Sequence, residues 1–74
     1  MGKLKIFSGK ELCKLLLKYG FMEKRRKGSH IVMQLKTEKG TITVLVPDHS
    51  ELKAGTLASI IRQSGLARSI FEVE

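Results

Sequence analysis

His30-Ile31-Val32-Met33-Gln34-Leu35-Lys36-Thr37-Glu38-Lys39-Gly40-Thr41-Ile42-Thr43-Val44-Leu45-Val46-Pro47 is the stretch on which the fold turns. From His30 to Lys36 the side chains alternate. Ile31, Met33 and Leu35 fall on one side, and His30, Val32, Gln34 and Lys36 on the other, which is the period of a half-buried strand. Beyond the Lys39-Gly40 turn signal, Ile42, Val44 and Val46 repeat the alternation. Pro47, with no amide to donate, ends it. A turn over Thr37 to Gly40 pairs Lys36 with Thr41. The same register sets Ile31 against Val46, Met33 against Val44 and Leu35 against Ile42, so apolar meets apolar on one face, and a slip of one residue would destroy every match. It also sets His30 opposite Pro47.

Outward from this hairpin, the N-terminal side reads as a helix followed by a weaker strand. Ser8 and Glu11 have the spacing of a capping box, Phe7 and Leu12 stand at the staple positions, and Gly20 supplies the stop. Leu12, Leu15, Leu16 and Tyr19 form the apolar stripe, while Lys10, Lys14 and Lys18 recur every four residues on another face. Phe21 to Arg25 reads as a strand, closed by turn chemistry at Lys27-Gly28. On the C-terminal side, Thr56 stands where a cap is expected, Leu57, Ile60 and Ile61 make a helical stripe, and Gly65 closes it. Ala67 to Glu72 adds one short turn. The expectation is an α+β fold of order α-β-β-β-α over residues 1–74 as a single domain, with two helices on one face of a three-stranded antiparallel sheet and the other face open to water.

Composition narrows the function classes. The 74 residues carry a net charge of +7, and its placement says more than its total. Residues 1–30 hold nine Lys or Arg against two Glu, whereas residues 31–74 hold five basic against five acidic residues. A concentrated excess creates a local field that recruits phosphate backbones, although a solvated helix face gives the same count. Three Phe, one Tyr and no Trp argue against a large aromatic ligand pocket. The one cysteine, Cys13, has no internal disulfide partner and lies in the apolar helical pattern, so it reads as a small hydrophobe of a cytoplasmic protein. No apolar run has the length of a membrane span, and none precedes the first lysines as a signal peptide would.

The chemistry concentrates in Lys24-Arg25-Arg26-Lys27-Gly28-Ser29-His30. A ribonuclease that works without metal needs cations to hold the phosphate and a base to take the 2′-hydroxyl proton. Both occur here within seven residues. His30 is the candidate base; Lys24, Arg25, Arg26 and Lys27, with Lys10 and Lys14 of the basic helical stripe, are candidate RNA contacts. Gly28 allows close backbone approach, and its amide with that of Ser29 is a candidate phosphate donor. His49, two residues past the partner of His30, is a candidate acid for the leaving oxygen. The plainer alternatives are that His30 is a strand residue on a wet face and that His49, beside Asp48, only shapes its loop. Two histidines and one cysteine at wide spacing make no zinc site, and no paired-carboxylate or phosphate-loop motif is present, so neither a metal nor a small-molecule cofactor is expected. Val32 and Leu45 form an apolar spot beside His30, which suits either ordinary strand propensity or a protein partner.

Over nearly its whole length the sequence resembles the HicA family of bacterial toxin–antitoxin systems. The resemblance is carried by Gly20-Phe21, Arg25 through Gly28-Ser29-His30, Val46-Pro47 with His49, and Gly55-Thr56-Leu57 leading to Ile60-Ile61-Arg62-Gln63. Two positions depart from the pattern: Arg26 stands where a glutamine is frequent, and Ile31 where a polar residue is. The resemblance implies a fold like that of a double-stranded-RNA-binding domain and mRNA cleavage that halts growth. It also implies the catalytic role for His30 and neutralisation by a HicB-type antitoxin covering the active site. A non-catalytic duplex-RNA-binding module stays open beside it, because similar folds bind RNA by shape and phosphate contacts alone. A DNA-binding regulator is less favoured, since no helix-turn-helix pair is evident.

Overall fold

The structure is a computed structural model that describes residues 3–73. Helix α1 spans Gly9–Lys18, strands β1, β2 and β3 span Met22–Lys27, His30–Thr37 and Gly40–Pro47, helix α2 spans Ala54–Ser64, and a 3-10 turn covers Arg68–Phe71. The strands form one antiparallel sheet in the order β1-β2-β3. This is the expected α+β order. The β2–β3 register is also as read, from His30 opposite Pro47 to Leu35 opposite Ile42, and pairing continues to Thr37 opposite Gly40.

One apolar cluster holds the two layers together. Ile31, Met33, Val44 and Val46 from the sheet meet Leu12, Cys13 and Leu16 of α1 and Leu57, Ile60 and Ile61 of α2. Both helices therefore cover the same sheet face, and non-polar area removed from water is the main stabilising term. Ser8 caps α1 as expected: its hydroxyl accepts from the Glu11 amide at 3.0 Å, and the Glu11 carboxylate accepts from the Ser8 amide at 2.9 Å. The buried stripe of α1 differs from the expected one, since Leu15 is only half-buried against the core. Tyr19 is the C-cap and lies exposed, while Cys13, on the same side as Leu12 and Leu16, is buried.

Other boundaries move for identifiable reasons. Strand β1 begins at Met22, because Phe21 turns inward and is fully buried, and it runs two residues past Arg25 to Lys27. Lys24 is an extra residue in this strand: Glu23 pairs with Met33 and Arg25 with Val32, so the ladder bulges between them. Helix α2 starts at Ala54, with Lys53 as N-cap and no side-chain cap; Thr56, the expected cap, lies inside the first turn. Gly65 closes this helix in the left-handed region, as expected.

The two ends of the described chain meet. Leu4 bridges Glu72, the Lys5 amide donates to Phe71 O and the Val73 amide donates to Lys3 O, both at 2.8 Å. Phe71 is fully buried and packs edge-on to Phe7 at 6.2 Å between ring centroids. Among the described residues no helix is long and apolar enough to cross a membrane.

Candidate active site

The β1–β2 hairpin closes through two residues, Gly28 and Ser29, with Lys27 paired directly to His30. Gly28 has φ +60° and no other residue of the turn has positive φ, the pattern of a type II′ turn, whose twist suits a tight hairpin. Glycine takes this conformation without the Cβ penalty other residues bear. On the far side of β2 the ladder extends beyond Pro47, since the Asp48 amide donates to Ser29 O at 2.7 Å. The turn is thus fastened to both neighbouring strands at its base.

Because paired residues share a face and successive ones alternate, the register sorts the side chains. The open face carries the row Lys27–His30–Pro47, then Arg25–Val32–Leu45, then Met22–Gln34–Thr43. His30 is exposed in the first row, away from the core. The apolar spot expected beside it is present but uneven: Val32, on the central strand between Arg25 and Leu45, is 6% exposed, whereas Leu45 on the edge strand is 51% exposed. One row further, Gln34 Nε2 donates to Thr43 Oγ1 at 3.3 Å.

The remaining candidates divide. Arg26 pairs with Ile31, whose side chain is in the core, so Arg26 points to the helix side of the sheet. There its guanidinium donates to Asp48 Oδ2. That hydrogen bond holds the Asp48 carboxyl below its ordinary value; the positive charges of Arg26, Lys10 and His49 act in the same direction, and burial opposes them. Lys24 is the unpaired residue of the bulge and is exposed. Helix α1 lies on the face opposite His30, so Lys10 and Lys14 do not share a surface with it: Lys10 acts on Asp48, and Lys14 lies one turn along near Glu11. His49 is exposed in the loop after β3, and its carbonyl accepts from the Gly9 amide at 2.9 Å. Arg25 and Lys27 are thus the basic residues that the ladder places on the same face as His30 and within a row of it; Lys36, paired with Thr41, shares the face three rows away.

Asp48 is the member of this region that sequence reasoning passed over. The signal was available, since continuing the β2–β3 register by one step sets Asp48 opposite Ser29, and period-two alternation then gives it the face of Val46, Ile31 and Arg26. Cys13 lies near the same ion pair, and burial pushes its thiol up to about 11, with the negative charges of Glu23 and Asp48 adding to the effect. It is a free, buried thiol. Among the described residues no group of His, Cys, Asp and Glu gathers in a way that would hold a metal ion.

Residues 9–66 match the model of a protein family described as the HicA toxin of bacterial toxin-antitoxin systems. The matched stretch begins at the first residue of α1, contains the sheet and α2, and ends just past the Gly65 cap. No curated protein matches the chain.

Proposed function

Since the chain belongs to the HicA toxin family, and is thereby the toxin of a toxin–antitoxin pair, we propose that it is a metal-independent endoribonuclease that cleaves mRNA in the cytoplasm and inhibits growth. The observation that carries this reading is the exposure of His30 on the open sheet face at a two-residue turn, with Lys27 directly opposite and Arg25 one row away.

His30 acts as general base in this scheme, taking the proton of a ribose 2′-hydroxyl. The 2′-oxygen forms a bond to phosphorus as the bond to the 5′-oxygen breaks, and the leaving oxygen takes up a proton, for which His49 is the candidate donor. The products are a 2′,3′-cyclic phosphate and a 5′-hydroxyl. Charge builds on the phosphate oxygens in the transition state, and cations fixed beside them stabilise it more than the ground state. Arg25 and Lys27 take that role in this scheme, with Lys24 and the Gly28 and Ser29 amides at the turn. Lys10 and Lys14, on the helix side of the sheet, lie outside this phosphate site. A HicB-type antitoxin would neutralise the toxin by covering the His30 face, where the exposed Leu45, paired with Val32, offers apolar contact inside a cationic surround.

Incubation of purified wild-type and His30→Ala protein with a defined RNA in EDTA tests this. The wild type should cut and leave cyclic-phosphate ends, while the variant should bind RNA without cutting it. Cutting by His30→Ala at the wild-type rate would refute the assignment. The second reading, a non-catalytic duplex-RNA-binding module, is favoured by one observation, that Lys10 and Lys14 lie on the helix side away from His30; tight duplex binding with no turnover by the wild type would establish it.

A further inference from the structure

Arg25 and Arg26 are neighbours in the chain and opposites in the sheet, because Arg25 pairs with Val32 on the open face and Arg26 with Ile31 on the helix face. On the helix face Arg26 is already engaged. Its guanidinium donates to Asp48, and Glu23, which pairs with Met33 and so shares that face, adds a second negative charge acting on it. The Asp48 side chain is only 17% exposed, and its backbone is anchored: its amide donates to Ser29 O, and the next carbonyl, that of His49, accepts from Gly9. The carboxylate is therefore held in place against Arg26. Among the described residues neither Arg25 nor Lys27 has an ion-pair partner.

We propose that Asp48 determines which side of the sheet receives the RNA backbone, by occupying Arg26 on the helix side and leaving Arg25 and Lys27, on the side of His30, to take phosphate. The proposal rests on the ribonuclease reading above. A phosphate approaching Arg26 must displace a fixed carboxylate and meets the like charge of Glu23, whereas one approaching Arg25 or Lys27 meets neither. Asp48 acts through Arg26 and is a positioning residue for the substrate; it does not take part in the proton transfers.

The salt dependence of RNA binding tests this directly, measured in the His30→Ala protein with a defined single-stranded RNA. Each phosphate contact on a single strand contributes about 0.7 to the slope of log affinity against log salt. Arg25→Gln and Lys27→Gln should each lower the slope by about 0.7, Arg26→Gln should leave it unchanged, and Asp48→Asn should raise it by about 0.7. Combining Asp48→Asn with Arg26→Gln should return the slope to that of the parent. An ion pair with one partner this exposed contributes little to folding, so these variants should stay folded. In the protein with His30 intact, Asp48→Asn should lower KM and lower kcat, because RNA drawn to the helix side lies away from the base; Asp48→Glu should restore both. A fall in slope for Arg26→Gln equal to that for Arg25→Gln, or no change for Asp48→Asn, would overturn the proposal while leaving the ribonuclease reading intact. Unchanged slopes for both Arg25→Gln and Lys27→Gln would sink the reading of the open face, and this proposal with it.

Discussion

Lys27 and His30 are directly opposed across the Gly28-Ser29 turn, the first at the end of β1 and the second at the start of β2. An ammonium and an imidazole thereby share one face at the closed end of the hairpin, separated only by the two turn residues.

Replacing Lys27 with Gln should lower kcat/KM for RNA cleavage by roughly tenfold to a hundredfold, the range for losing a hydrogen bond to a charged group. The deficit should shrink at high ionic strength, since salt screens what an exposed charge contributes. Lys27→Arg should retain most of the activity. Steady-state cleavage at low and high salt checks all three, and an unchanged kcat/KM for Lys27→Gln would remove this residue from the site.

Two glycines should lose stability to alanine for different reasons. At Gly28 a Cβ meets nothing within 4 Å, so the cost is that of the positive-φ backbone of a type II′ turn alone, about 1–3 kcal/mol. At Gly9 the added atom would lie 2.1 Å from Pro47 O, so the N-terminus of α1 must move off the end of β3. About 3 kcal/mol is expected there, from overpacking against backbone that has no rotamer to change. For a domain of this size each 1 kcal/mol moves Tm by roughly 4–8 °C, so thermal unfolding should register the loss in both variants.

Cys13 sets an alkaline limit. Burial raises its thiol from 9.0 to about 11 in the folded chain, so between those values the unfolded chain has released a proton that the folded chain retains. The unfolded state then binds fewer protons, and stability falls as pH rises through that window. Below about pH 9 the contribution is complete. Cys13→Ala should flatten this part of the stability profile relative to wild type, as measured by denaturant unfolding at a series of pH values. The wild-type thiol should also react slowly with thiol reagents at neutral pH until the chain is unfolded.

The parts of the fold that were readable from sequence are those where one local rule acts alone. Apolar matching selected the β2–β3 register because any slip exposes Ile31, Met33 and Leu35 together, and the Ser8–Glu11 box needs only three residues of helix to close. Strand β1 was harder for a tertiary reason: its six residues are all exposed, so burial leaves no periodic trace, and the bulge at Lys24 shifts alternation midway. Helix α2 begins before Thr56 because packing of Leu57, Ile60 and Ile61 sets its position without a side-chain cap. The pairing of Lys3 to Lys5 with Phe71 to Val73 joins opposite ends of the chain, a contact that no local pattern announces.

The candidate site was partly readable in the same sense. Sequence proximity collected Lys24, Arg25, Arg26 and Lys27 into one group, but strand geometry divides neighbours between faces, and only the β1–β2 register shows that Arg25 and Lys27 accompany His30 while Arg26 turns to Asp48.

The same strand bears on how copies of the molecule behave toward one another. From Glu23 to Lys27 the outer edge of the sheet presents five ionised side chains in succession, and the surplus residue within it breaks the even spacing a docking strand would require. A second molecule is offered no usable template there, so the charged residues of β1 guard this margin against self-association into larger aggregates.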